Sequence, residues 1–308
     1  MPDLNTERRT SLCARTARAR ATAWLRALLL TLLLPWLAAC STVQFTYKQG
    51  PMLSYWWLDG YVDFSSEQSS VARLELDNWF KWHRNTQLEG YSSFLTDLAA
   101  QSTQAVSPRQ LCSVVNQIEL RLMQGYDQAV PAMARVIRTF SPEQFDHLAQ
   151  RFAKADQTTQ EDYVEQPAER WRTKSLKRWT ENLEGFYGPL DDAQLAWLGE
   201  RVPALPLKPG IWLQERRLRH AQIVDGLRSL HRAKAEHADY EAALRAYAAM
   251  TMHSPRDDYR SYRNRLSRAQ CALIAEFHNS ASRAQRQRAA DKIMQYVSDL
   301  RALQSTPN

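Results

Sequence analysis

Glycine is scarce, at nine residues in 308. A sandwich or barrel of many short strands needs far more tight turns than that supply allows. The same shortage leaves no glycine-rich loop to cradle a phosphate. Histidine occurs without metal-ligand spacing: there is no HExxH, and His147, His220, His231, His237 and His253 are dispersed. No metal or other cofactor is therefore expected. No apolar run reaches the roughly 20 residues that cross a bilayer as a helix. Cysteine is nearly absent too, with four residues in all.

Charge of one sign is also in short supply once its location is considered. The formal net charge is +7, yet residues 1–39 hold Arg8, Arg9, Arg15, Arg18, Arg20 and Arg26 against Asp3 and Glu7. Without that segment the excess falls to +3, an ordinary balance that creates no strong long-range field. Nucleic acid is not an expected partner.

The most informative stretch present is the run from Leu28 to Cys40, an apolar core of about eleven residues that ends in Leu37-Ala38-Ala39-Cys40. Too short to span, preceded by arginines and closed by small residues before a cysteine, it looks like a bacterial lipoprotein signal peptide. The implied layout is a signal peptide at 1–39, a tether at 40–50 that begins with lipidated Cys40, and a helical domain at 51–304. Its expected setting is the cell envelope: anchored by lipid, periplasm-facing, with Ser41 favouring the outer membrane over the inner. Cys13 leaves with the signal and Cys40 is committed to lipid, so Cys112 and Cys271 remain. In an oxidising compartment such a pair reads as one disulfide, because CxxC spacing and neighbouring zinc ligands are both missing.

One short pattern recurs: an apolar residue, then Ser or Asp, two residues and Gln. It occurs at Ser65–Gln68, Ser107–Gln110, Ser141–Gln144, Asp191–Gln194 and Ser267–Gln270, with a weaker copy at Ser282–Gln285. Each is a capping box, in which the Ser or Asp oxygen accepts the N3 amide while the Gln side chain reaches back to the cap amide. Helices are expected to begin near Ser66, Ser107, Ser141, Asp191, Ser267 and Ser282. Apolar residues then fall at helical period, as in Leu111, Val114, Val115, Ile118, Leu122, Tyr126, Val130, Met133 and Ile137, with a kink expected at Pro131. The fold class is all-α, a single bundle of about ten helices. The segment Pro203–Gly210 reads as a loop inside it.

Several segments carry a family resemblance: Tyr55-Trp56-Trp57-Leu58-Asp59-Gly60-Tyr61-Val62-Asp63, Leu76-Asp77-Asn78-Trp79-Phe80-Lys81-Trp82-His83-Arg84, the Phe186–Asp191 corner, and Cys271-Ala272-Leu273 with Phe277-His278-Asn279. Together they resemble a family of Gram-negative lipoproteins catalogued only as a domain of unknown function, over nearly the whole mature chain. The resemblance implies a helical lipoprotein and brings no known activity or catalytic residue.

Four groups are candidates for a role. The aromatics Phe45, Tyr47, Tyr55, Trp56, Trp57, Tyr61 and Phe64 read either as a membrane-interface belt or, the favoured expectation, as a short helix threaded into the core. Asp59, Asp63, His83 and Arg84 are expected to form one buried polar network, structural rather than catalytic. The arginines from Arg256 to Arg268 suit a solvated helix face or an anionic partner. His278-Asn279 is expected to cap a helix end. Two functional classes remain open: a non-enzymatic envelope interaction, assembly or chaperone-like protein with an envelope protein partner, or an envelope hydrolase using His83 with Asp59 or Asp63.

Overall fold

The computed structural model describes residues 42–305, so the leader and Cys40 lie outside the described residues. Twelve α-helices and one π-helical turn make up the regular structure there, with no strand among the described residues. They are α1 (Thr42–Lys48), α2 (Gly50–Val62), α3 (Ser66–Thr86), α4 (Leu88–Gln101), α5 (Pro108–Ile137) and α6 (Pro142–Thr159). The π-turn (Gln160–Val164) follows, then α7 (Ala168–Tyr187), α8 (Asp192–Arg201), α9 (Pro209–Arg232), α10 (His237–Met252), α11 (Asp257–Ser280) and α12 (Arg283–Ser305). α1 belongs to a separate N-terminal unit, and the described residues from Gln49 onward form one compact unit. None of these helices is long and apolar enough to cross a membrane.

Five of the expected boxes cap helices: Ser65, Ser107, Ser141 and Asp191 each accept the amide of their N3 glutamine. The fifth is Ser282, whose Oγ lies 3.1 Å from the Gln285 amide. Four of the five glutamines do a second job. Gln144 spends its Oε1 on the Ser141 amide and donates through Nε2 to Asp63 O at 2.8 Å and Gln68 Oε1 at 2.7 Å. Gln68 in turn donates to Thr139 O at 2.9 Å, which ties the start of α3 to the start of α6. At the other end of the unit Gln194 and Gln285 face each other at 2.9 Å and join the starts of α8 and α12.

Ser267 is the exception. α11 has already begun at Asp257, after Ser254-Pro255-Arg256, so Ser267 and Gln270 sit in a helix interior whose amides are bonded to the preceding turn. The arginine stretch also differs from expectation. Arg256 pairs with buried Glu215 at 2.9 Å and Arg263 with Glu119 at 2.8 Å, while Tyr259 and Tyr262 between them are buried. That stretch is a packed, ion-paired helix start.

α5 is the helix that the others share, running through Pro131 without interruption and packing on α3, α10 and α11. Its C-terminal half builds one core with Val130, Ala134 and Val136 against Phe145 of α6, Leu227 of α9 and Tyr240 and Leu244 of α10. A second core gathers Leu183 and Tyr187 of α7, Leu198 of α8, Leu273 and Phe277 of α11 and Ala289 of α12. α12 lies along α4 and brings the end of the chain back to its first third. Gly188 closes α7 at φ 79°, where Arg288 stands 2.8 Å from the position of a Cβ. The expected single stripe on α5 holds only for this inner half. Val115, Ile118 and Leu122, about two to four turns nearer its start than Val130, are exposed.

Cys112 and Cys271 are bonded, with Cα atoms 5.6 Å apart. The bridge joins the first turns of α5 to the middle of α11, not two matching first turns, because of the earlier start of α11. Closing a loop of this length stabilises by about 5 kcal/mol at most in the chain-entropy model.

The box glutamines separate capping from joining. Gln144→Glu keeps the cap acceptor but removes the Nε2 donor and sets a carboxylate against Asp63 O, so it should lower stability by about 1–3 kcal/mol in urea unfolding. Gln110→Glu, in a box bonded only to Ser107, should change it by less than about 0.5 kcal/mol.

Candidate functional site

The larger cleft, about 480 Å³, opens beside the disulfide where the end of α4, the start of α5 and the C-terminal half of α7 meet α11 and α12. Its walls are apolar: Leu98, Leu111, Val114, Trp179, Leu183, Phe186, Ile274 and Ile293, with Gln101, Gln110 and Asn182 among the polar residues. Leu111 and Val114 flank Cys112 in sequence, and Ile274 stands one turn beyond Cys271. The disulfide therefore fixes the spacing of two walls. The exposed stripe Val115, Ile118 and Leu122 prolongs the α5 wall along its helix.

His278 closes the base. Its Nε2 is 2.8 Å from Gln104 O, and since a carbonyl only accepts, this nitrogen carries the proton. Nδ1 then accepts from the Tyr187 hydroxyl at 2.8 Å. Burial lowers the imidazole pKa and pushes the Tyr187 phenol up to about 12. Both ring nitrogens of a neutral histidine are thus committed, which makes it a brace. Next to it, Asn279 bonds both the amide and the carbonyl of Val106 at 2.9 Å. His278 and Asn279 pin the α4–α5 loop to α11 rather than cap a helix. The sequence signal for this was the spacing Cys271, Ile274, His278, which puts a polar ring on the stripe that carries the disulfide.

Asp59, Asp63, His83 and Arg84 are not brought together. The Asp59 carboxylate accepts from the Phe64 amide at 3.0 Å, and Asp63 takes a left-handed turn conformation at φ 58°, both at the α2–α3 turn. α2 and α3 form an antiparallel pair, in which a Cβ on Gly50, at the far end of α2, would press against Phe80. His83 and Arg84 belong to that far end, about 26 Å of helix rise from the turn. There His83 stacks on Trp79, with centroids 4.8 Å apart and 20° between planes, and meets Tyr91 edge-on. Burial lowers its pKa. The network fails because a hairpin of two long helices separates groups that lie at opposite ends of one of them.

A carboxylate-held imidazole does exist, at residues that the sequence left among dispersed histidines. Asp156, 5% exposed, places Oδ2 3.0 Å from His220 Nδ1 and Oδ1 3.0 Å from Arg216 Nε. Phe152 stacks flat on His220 at 4.0 Å. Burial lowers the His220 pKa against the opposing pull of Asp156. Asp156, Phe152 and His220 line a second cleft of about 450 Å³ between α6 and α9, together with Arg217, Asp225 and Arg228. Asp156 and His220 are 64 residues apart, so only the packing of α6 on α9 reveals the pair.

A family model described as DUF6279, a family of unknown function, matches residues 60–260. The chain belongs to that family. The DUF6279 match takes in the α3 segment through Arg84 and the Phe186–Asp191 corner, and stops before Cys271–Asn279, so it is narrower than the whole-chain resemblance. The α12 wall of the apolar cleft also lies beyond it. No curated protein and no solved structure matches the chain.

His83, His220 and His278 all have pKa values lowered below 6.5. The unfolded chain then binds more protons than the folded one between 6.5 and the lowered values. Stability should be full above pH 6.5 and decline as pH falls through that window. Urea midpoints at pH 7.5 and 5.5 should show the decline, and His278→Gln should shrink the difference.

Proposed function

We propose that this DUF6279 member is a lipid-anchored, periplasm-facing protein of the cell envelope that holds an apolar segment of an envelope partner, in an assembly or chaperone-like role. One observation carries the reading: the cleft beside Cys112–Cys271 is apolar, braced by the disulfide, and continues into an exposed apolar stripe on α5. Its volume is within the usual range of ligand sites, which combine apolar walls with a few polar groups at the edge. The disulfide suits an oxidising compartment, and the Leu28–Cys40 pattern supplies the address. Ser41 after the lipidated cysteine favours the outer membrane.

A second reading, an envelope hydrolase, is favoured by the Asp156–His220 pair. A neutral imidazole held through Nδ1 by a carboxylate presents Nε2 as a general base. It takes the place of a His83-centred site, whose carboxylates lie at the other end of α3.

Photo-crosslinking in native membranes tests the first reading. A benzophenone side chain at Val114 or Ile118 should capture one discrete envelope partner, and the same group at Ser229 on α9 should not. Equal capture at all three positions, or none at any, would contradict the binding role. For the second reading, His220→Gln should cut hydrolysis of ester or phosphoester probes by at least about 100-fold. An unchanged rate would remove His220 as a base.

A further inference from the structure

α2 presents its apolar side outward. Tyr55 and Val62 face the unit and are 5% and 8% exposed, whereas Met52, Leu53, Trp56 and Trp57 are 37%, 44%, 57% and 63% exposed. At 100° per residue those four share one face, with exposed Gly60 between them. The expectation that this aromatic segment threads into the core is therefore overturned for its outer face. No charge interrupts the face. Asp59 is the only charged residue of α2, and its carboxylate is taken by the Phe64 amide.

We propose that this face seats in the headgroup layer of the membrane that holds the Cys40 lipid. This rests on reading Cys40 as the anchor. Nine residues separate Cys40 from Gly50, and with Thr42–Lys48 helical they reach about 23 Å at most. A face that could not hold the free protein on a bilayer works at high effective concentration once a lipid keeps it within that distance. The chemistry fits the interface rather than the acyl interior. Tryptophan and tyrosine favour the headgroup region, and Trp57 lies against Tyr61 at 4.9 Å. Arg151 sits over Tyr61 at 5.6 Å and reaches to 3.9 Å from the position of a Cβ on exposed Gly60, which puts a cation beside the outer face of α2 for anionic headgroups. The lipid supplies the anchorage and the aromatic face fixes how the helical unit is oriented on the surface.

The test uses the full-length protein purified from membranes and reconstituted into phosphatidylethanolamine–phosphatidylglycerol vesicles, with and without bromine near the headgroup end of the acyl chains. Mass spectrometry of the same sample reads the state of Cys40. With Cys40 lipidated, bromine should quench part of the tryptophan emission, and Trp56→Phe with Trp57→Phe should remove more than half of that quenching. Absent quenching on a lipidated sample would overturn the docking and leave the anchor standing. An unlipidated Cys40 in membrane-bound protein would overturn both. Quenching unchanged by the double variant would overturn the assignment to α2. So would a dimer in detergent that Trp56→Ser with Trp57→Ser dissolves, because a second copy would then be the occupant.

Discussion

The constraint on which the architecture turns is the need to satisfy backbone amides at helix starts, met here by glutamine. A serine or aspartate accepts the N3 amide, and the N3 side chain answers the cap amide. Glutamate could make that return contact equally well. Glutamine alone keeps a donor in reserve, and at Gln144, Gln68, Gln194 and Gln285 that donor crosses to a neighbouring helix. Helix starts are thereby also joints. One joint holds the α2–α3 turn to the α5–α6 turn, and the other holds α8 to α12. Each lies beside one of the two apolar cores, so a local rule for ending exposed amides also sets how distant segments meet.

Between those joints α5 contributes to one core and is bonded through Cys112 to α11, which contributes to the other, without being buried along its length. Its second half is interior, while its first half is tied to α11 by the disulfide and forms one wall of the apolar cleft. The cleft is polar only where its loop must be held. His278 and Asn279 satisfy Gln104 and Val106 and use their own hydrogen-bonding capacity in doing so. A histidine in that position shapes the base of the cleft, whereas His220 keeps Nε2 uncommitted among the described residues.

The ionic groups inside the unit follow the same economy. Glu215, 2% exposed, faces Arg256, and Asp156 faces Arg216 and His220. A buried carboxylate is tolerated only when paired, so each such acid marks a fixed contact of α9, with α11 in the first case and with α6 in the second. The arginines that read as a solvated stripe in sequence are partly spent on these contacts. Nothing local to Arg256 or Arg263 names Glu215 or Glu119 as the partner.

Helix identity was written in the sequence because its causes are local. Five of the six Ser/Asp-x-x-Gln boxes start helices at the expected residues, Gly188 ends one, and the one failure, Ser267, arose because a helix already running has no free amides to cap. The cysteine pairing was legible for a different reason: once Cys13 and Cys40 were assigned elsewhere, two cysteines had one possible bond. The candidate sites were not legible. Asp59 and His83 are close in sequence but separated by the length of α3, while Asp156 and His220, or Tyr187 and His278, are distant in sequence and within hydrogen-bond reach. Periodicity also located the apolar faces without saying which would be covered, and Trp56, Trp57, Ile118 and Leu122 stayed outside. A sequence fixes the faces of each helix through backbone hydrogen bonding and side-chain spacing. Which faces meet depends on the crossing of helices from tens to about two hundred residues apart, and only the assembled tertiary structure decides that.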